Sequence, residues 1–387
     1  MEILAVALKT SKRGAIPPFI VMDVMRAAYE REVAGHHVLH MEVGQPGTAA
    51  PKPVLDAAKA ALDENRIGYT GAFGLPELRH RLSGHYREVY GVDVPDERIV
   101  VTTGSSGAFV LSFLGVFDPG DRVALASPGY PAYRNILRAL DVEPVNLLVG
   151  PETNFQPTPE LLDRIDGRLD GLIIASPSNP TGTMIPAAEL RTLAAYCQNR
   201  NIRLISDEIY HGITYGERAE TALSFNNEAI VINSFSKYFS MTGWRLGWMV
   251  VPEELLRTVE CLSQNLFISP PTLSQLAGIA AFDCREQLDG YVANYARNRS
   301  LLLGQLPKAG FDKLSHADGA FYVYADVTSM TNDSAGFCRR ILNETSVALT
   351  PGTDFDPERG NRYVRFSFAE SCDVIEQAAD RLIKWKR

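Results

Sequence analysis

Short apolar runs recur along the middle of this chain, and each stops in a cluster of polar or glycine-rich residues. The runs are 99–102, 122–126, 171–175, 202–206 and 230–233, with helical stretches between them. Strands that are apolar on both faces and alternate with helices predict an α/β fold, a mostly parallel sheet covered by helices on both faces. The clusters read Thr103-Gly104-Ser105-Ser106-Gly107, Ser127-Pro128-Gly129-Tyr130, Asn179-Pro180-Thr181-Gly182, Asp207-Glu208-Ile209-Tyr210 and Ser234-Phe235-Ser236-Lys237. Open α/β sheets bind ligands at the carboxyl ends of their strands, so these clusters predict one shared site.

From about residue 290 the texture changes. A long helical stretch (291–306) is followed by a strand-like 319–326, a helix near 334–344, a strand at 363–368 and a last helix. This reads as a smaller α+β domain, on which Ile16-Pro17-Pro18 and the amphipathic stretch 22–33 are expected to pack. The expected boundaries are 45–288 for the large domain, and 1–44 with 289–387 for the small one.

The length of 387 residues and the 45% hydrophobic content allow a large core and exclude a disordered or low-complexity polymer. A formal net charge of −8 would repel a phosphate backbone over most of the surface, so no nucleic-acid partner is expected. The five cysteines, Cys197, Cys261, Cys284, Cys338 and Cys372, are scattered and never in C-x-x-C spacing. That suggests neither a disulfide framework nor a zinc ribbon, and a reducing compartment. The apolar stretch 3–8 follows Glu2, is too short for a signal sequence and lacks a basic flank. No run approaches the roughly 20 apolar residues of a membrane span, so a cytoplasmic protein with no membrane partner is expected.

Lys237 lies in S-F-S-K-Y-F-S-M-T-G-W-R-L-G-W, with Arg245 eight positions later. Apolar surroundings and a nearby cation lower a lysine's pKa, and a neutral amine can attack an aldehyde to form a Schiff base. The alternative is a solvated loop lysine. Gly104-Ser105-Ser106-Gly107, between a strand and an apolar helix, offers backbone N–H donors to a phosphate. Ser234, Ser236 and Arg245 would complete such a cradle. Neither G-x-G-x-x-G nor G-x-x-x-x-G-K-[ST] occurs, so dinucleotide and nucleoside-triphosphate readings lose their main support.

Taken in order, G-Q-P-G (44–47), Y-T-G-A-F-G-L-P-E-L-R (69–79), S-P-S-N-P-T-G (176–182), S-D-E-I-Y (206–210), S-x-S-K with G-W-R-L-G, P-G-T-D-F (351–355) and V-R-F-S-F (364–368) resemble the class I/II aminotransferases. The resemblance to these pyridoxal-phosphate enzymes of fold type I covers nearly the whole chain. It implies a ping-pong transfer of an amino group between an L-amino acid and a 2-oxo acid, with pyridoxal 5'-phosphate held as an aldimine of Lys237. By that resemblance Lys237 is also the base that moves a proton after substrate displaces it. Asp207 pairs with the pyridinium nitrogen, Asn179 and Tyr210 hydrogen-bond the phenolic oxygen, and Tyr130 stacks on the ring. Gly104, Ser105, Ser106, Ser234, Ser236 and Arg245 hold the phosphate. Tyr69 reaches it from the partner of a homodimer with shared sites. Arg365 clamps the α-carboxylate, with Asn179 and Gly44 beside it. Taken singly, Asp207 could be a helix cap, Asn179 a turn residue and Tyr130 a core aromatic.

Alternation along 363–368 puts Val364, Phe366 and Phe368 on one face and Tyr363, Arg365 and Ser367 on the other, so Arg365 points away from the apolar face. Arg362 reads as a solvated charge. Members of the family that take dicarboxylic amino acids can use a second, partner-derived arginine near 264–275. None occurs there; Phe267 and Ile268 suggest an apolar pocket, although Lys12 and Arg13 remain candidate cations. His36, His37 and His40 include an i, i+4 pair without an evident acidic third ligand, and no metal is assigned. A C–S β-lyase on the same fold is the alternative reaction. A ligand-sensing module or an inactive scaffold is the non-enzymatic alternative.

Overall fold

The computed structural model describes residues 8–65 and 67–385, so the N-terminal stretch 3–8 lies outside it except for Leu8. Each predicted run forms a strand. The large sheet contains β1 (Ile99–Thr102), β2 (Arg122–Ser127), β3 (Glu143–Leu148), β4 (Gly171–Ala175), β5 (Arg203–Asp207), β6 (Ile230–Ser234) and β7 (Gly247–Val250), in spatial order β1-β7-β6-β5-β4-β2-β3. All neighbours are parallel except β7, which runs antiparallel to β1 and β6.

Two of these strands escape the apolar-run criterion. Strand β3 is an edge strand carrying Glu143, Pro144 and Asn146, half-exposed along most of its length. Strand β7 follows the glycine-rich 243–247 and returns beside β6 without a crossover helix, as an antiparallel neighbour can.

Alternate residues of the central strands enter two apolar layers. Val101, Leu172, Ile174, Leu204, Val231 and Trp248 face one layer. Val100, Ile173, Ile205, Ile230, Ile232 and Met249 face the other. Burial on both faces accounts for the uninterrupted apolar runs.

The smaller sheet has the order β10-β11-β9-β8, all antiparallel: β8 (Lys313–Leu314), β9 (Tyr322–Asp326), β10 (Thr350–Pro351) and β11 (Tyr363–Ser367). It packs with helices Arg285–Gln305, Ser334–Thr345 and Cys372–Lys384 around Phe321, Val323, Phe366, Phe368 and Leu382. The long helix therefore begins earlier than expected. Strand β9 begins later than expected, because Gly319 is engaged in a bridge with Thr214. The N-terminal chain joins this unit through Leu39–His40, parallel to Val347–Ala348, and through helix Ile20–Val33. No helix among the described residues is long and apolar enough to cross a membrane.

Gly182 locks the loop after β4 against the smaller sheet. Its φ is +67°, and a Cβ there would lie 2.7 Å from the Tyr322 carbonyl and 2.9 Å from that of Gly319. Gly120 also has a positive φ, +93°, but open space around it. Gly182→Ala should therefore cost at least about 2 kcal/mol in denaturant unfolding, from backbone strain plus overpacking, and Gly120→Ala about 1 kcal/mol, from strain alone. Equal losses would contradict this account.

Candidate active site

The carboxyl ends of β1, β5 and β6 and one face of β11 enclose a cavity of about 300 Å³. Lys237 enters it three residues beyond β6. Its Nζ donates to the Gly44 carbonyl at 2.6 Å and lies 5.8 Å from the centre of the Tyr210 ring. Burial pushes the ammonium down to about 8, helped by the charges of Arg365 and Arg245 and opposed by Asp207. Gly44 can come this close because it lacks a side chain: a Cβ there would overlap the Tyr322 hydroxyl.

Asp207 ends β5 and is 2% exposed. Its Oδ1 accepts the Ile209 N–H at 3.1 Å, and its Oδ2 accepts the hydroxyl of Tyr133. Burial raises the carboxyl to about 6, and those two donors with Lys237 limit the rise. Sequence reasoning missed Tyr133, although it stands one helical turn after Tyr130 in P-G-Y-P-A-Y. The two rings meet edge to face at 5.3 Å.

Arg365 is 3% exposed on β11. Its Nη1 donates to Asn179 Oδ1 at 2.9 Å, and its Nη2 to Thr350 Oγ1 at 3.2 Å and to the Glu42 carbonyl. Its Nε has no hydrogen-bond partner among the described residues. The guanidinium carbon lies 4.4 Å from the Tyr322 ring centre and 4.7 Å from that of Phe355. Every hydrogen-bond acceptor on this cation is neutral, so its charge stays available to an incoming carboxylate. Tyr210, also in the wall, shares a 2.7 Å hydrogen bond with Tyr322, a second residue that sequence reasoning missed.

At the other end, helix Gly104–Val116 begins without a side-chain cap, and Ser105 and Ser106 line the cavity. Ser236 and Arg245 face the same space. Arg245 has a φ of +51°, an uncommon conformation for a side-chain-bearing residue, and its Nη1 donates to the Thr242 carbonyl at 3.0 Å. A Cβ on Gly104 would lie 2.5 Å from the Arg245 Nη2, so the glycine makes room for this cation. Uncapped N–H groups, hydroxyls and a guanidinium form a site for a dianion.

Gly104, Ser234 and Tyr69 are not on the cavity wall. Ser234 lies behind it, its hydroxyl hydrogen-bonded to Ser236 Oγ at 2.9 Å and also accepting the Ser236 N–H at 3.1 Å. Tyr69 is 84% exposed. Tyr130 lines the cavity with its hydroxyl pushed up to about 12 by burial. The roof is Phe19, Val21, Met22 and Met25, from the start of helix Ile20–Val33. The amphipathic pattern of 22–33 placed that helix on the smaller unit but gave no sign that its first turn overhangs the cavity. Phe267, Ile268, Lys12 and Arg13 do not line it, and Arg13 pairs instead with Asp141 at 2.6 Å. Arg362 is exposed.

His40 has two carboxylate neighbours that the sequence reading did not anticipate, Glu42 at 2.8 Å and Glu32 at 3.2 Å, and they raise its pKa to about 9. Among the described residues there is no group of three or more His, Cys, Asp or Glu suited to a metal ion.

The environment of Lys237 fixes its expected titration. At pH 7 a group titrating near 8 is neutral in about a tenth of molecules, against well under a thousandth for an ordinary lysine. Competitive acylation of the cofactor-free protein should show Lys237 reactivity rising with pH to a plateau above about 8. A plateau reached only near the ordinary lysine value would contradict the role given to burial and the two arginines.

A family model for aminotransferase class I and II matches residues 36–382. A valine–pyruvate aminotransferase of Mycobacterium tuberculosis is 50% identical over 381 residues, 97% of this chain and 98% of that protein. A crystal structure of an aminotransferase from the same organism superposes with a TM-score of 0.96 at 50% identity, covering 98% of this chain and 99% of that one. The aspartate aminotransferase of Thermus thermophilus, solved with maleate, superposes at 0.91 with 32% identity, covering 98% of this chain and 100% of that one. The chain thus belongs to the class I and II aminotransferase family, as an enzyme that moves an amino group between an amino acid and an oxo acid.

Proposed function

We propose that the cavity holds pyridoxal 5'-phosphate and that the preferred amino donors are aliphatic L-amino acids, with a 2-oxo acid as acceptor. The observation that carries this reading is the half-buried Lys237 amine, hydrogen-bonded to the Gly44 carbonyl and shifted toward neutrality, in the same cavity as an acid and a dianion site. The fit to the cofactor rests on that site's chemistry: an uncapped helix start, Ser236 and Arg245, with glycine where a Cβ would displace the guanidinium. Bound there, pyridoxal phosphate supplies an aldehyde carbon and a ring that accepts electrons.

The roles of this chain's residues follow from their chemistry. Ser105, Ser106, Ser236 and Arg245 hold the phosphate, with Gly104 and Ser234 shaping the cradle from behind. Asp207 keeps a proton on the ring nitrogen, Tyr130 covers a ring face, and Asn179 and Tyr210 donate to the phenolic oxygen. Lys237 would hold the cofactor's aldehyde carbon through its amine, and as a free amine it would carry the proton taken from the substrate's α-carbon. Arg365 binds the α-carboxylate, close to Gly44. The units we assign, 45–288 and 1–44 with 289–387, each supply one side of this cavity. We assign the enzyme to the cytoplasm, where its unpaired cysteines are at home, and to a homodimer in which Tyr69 of the partner subunit completes the phosphate site.

Two observations support aliphatic donors. The roof is apolar, and among the described residues the only Lys or Arg side chains on the cavity wall are Lys237, Arg245 and Arg365, each already assigned. The 50% identical relative is named for valine and pyruvate.

The test is a half-reaction. Single amino acids are added to holoenzyme without an oxo acid, and the cofactor's absorbance is followed. Valine should convert it to the pyridoxamine form, pyruvate should reverse the change, and aspartate should react far more slowly. Faster reaction with aspartate would overturn the donor assignment, and release of ammonia with pyruvate would show a lyase. Arg365→Met should raise KM for every amino acid roughly 10- to 100-fold, the value of charge-assisted hydrogen bonds to a carboxylate. An unchanged KM would remove Arg365 from substrate binding.

A further inference from the structure

Asp354 is a buried carboxylate, 2% exposed, that none of these roles employs. It lies in the P-G-T-D-F loop that leaves β10. Its Oδ1 accepts the N–H of Ile20 at 3.0 Å and its Oδ2 that of Val21 at 3.3 Å. These are the first two residues of helix Ile20–Val33, whose N-cap residue, Phe19, provides no side-chain bond of its own. An anion at a helix start also meets the positive end of the helix dipole. The turn held in this way carries the roof: Phe19 packs edge-on to Tyr130 at 5.8 Å, and Val21, Met22 and Met25 face the cavity.

The next residue serves the opposite wall. The Phe355 ring lies 4.7 Å from the Arg365 guanidinium. Its carbonyl accepts the Gly129 N–H at 3.1 Å and Arg134 Nη1 at 3.1 Å, and Arg134 Nη2 reaches the Asp354 carbonyl. One short loop therefore fixes the roof helix, the carboxylate-binding arginine and the segment bearing Tyr130.

We propose that Asp354 is a positioning residue for substrate selection, a latch that sets the roof over the cavity in register with Arg365. This goes beyond the donor assignment but rests on it where side-chain preference is concerned. An amino acid gripped at its α-carboxylate by Arg365 then meets the roof at a fixed height. Without the latch the helix start loses two acceptors, and the roof loses its reference to the β10–β11 loop.

The test compares Asp354→Ala and Asp354→Asn with the wild-type holoenzyme. In Asp354→Ala, amide hydrogen exchange over 19–25 should rise about tenfold, the order expected for loss of a helix cap. KM for valine should rise several-fold more than KM for alanine, whose single methyl makes little contact with the roof, and kcat should change less than either. Asp354→Asn keeps one acceptor and should lie between, which a general loss of packing would not produce. Should Asp354→Ala fail to fold, Asp354→Asn decides by the same comparison. Unchanged exchange at 19–25, or equal loss for alanine and valine, overturns the proposal. If the wild type itself shows no preference for valine, the donor assignment fails, and the exchange result still judges the latch.

Discussion

Lys237 carries its amine into a cavity that already contains two guanidiniums, and there it donates to a neutral carbonyl, that of Gly44. Water would solvate an ammonium at far lower cost. The cost falls on the positively charged form alone, so the fold biases the side chain toward a nucleophilic amine. Its pKa falls on folding from 10.5 to about 8. Between those values the unfolded chain holds the proton that the native chain has released, so stability gained through this group grows as pH rises across that interval. At neutral pH the native state carries the strain, which any ligand that consumes the amine would relieve.

Much of the surrounding architecture keeps that environment cationic. Arg245 can approach because Gly104 has no Cβ, and Gly44 can approach because Tyr322 leaves only enough room for a hydrogen. Arg365 is fixed by Asn179, Thr350, Glu42 and two aromatic rings without being neutralised. Asp207 is the counterweight. Its two donors hold down a carboxyl that burial alone would protonate further, so the cavity keeps one anion at the end where a ring nitrogen would require it.

The sequence made the central strands legible because burial on both faces leaves a signal that no exposed helix can imitate. Lys237, Asp207, Asn179 and Arg365 were legible because each sits where a strand end meets a polar cluster or where alternation dictates a face. Strand β3 was hidden by its half-exposed edge position, and β7 by its shortness and by Gly243 before it and Gly247 at its start. Tyr133 and Tyr322 were hidden because a buried tyrosine in sequence resembles core packing; only the partner of its hydroxyl, set by tertiary structure, distinguishes it. The roof was least visible of all, since an amphipathic helix shows which stripe is apolar but not which turn of that stripe meets a cavity.

That invisibility matters most for selectivity. Burying the two extra carbons of valine under Val21, Met22 and Met25 is worth about 0.8 kcal/mol each, so under the proposed donor assignment the roof alone separates valine from alanine by roughly tenfold. Setting an unpaired carboxylate against the same surface costs more than that, and among the described residues no cation on the cavity wall stands free to compensate it. Under the proposed donor assignment the stronger discrimination is therefore against acidic donors, and it depends on the roof staying over the cavity. A shift of that helix turn would bring more water to the apolar surface and weaken it. On the proposed assignment, selectivity thus depends as much on what holds the roof, a carboxylate 334 positions away in sequence from the first amide it caps, as on the residues that touch the substrate.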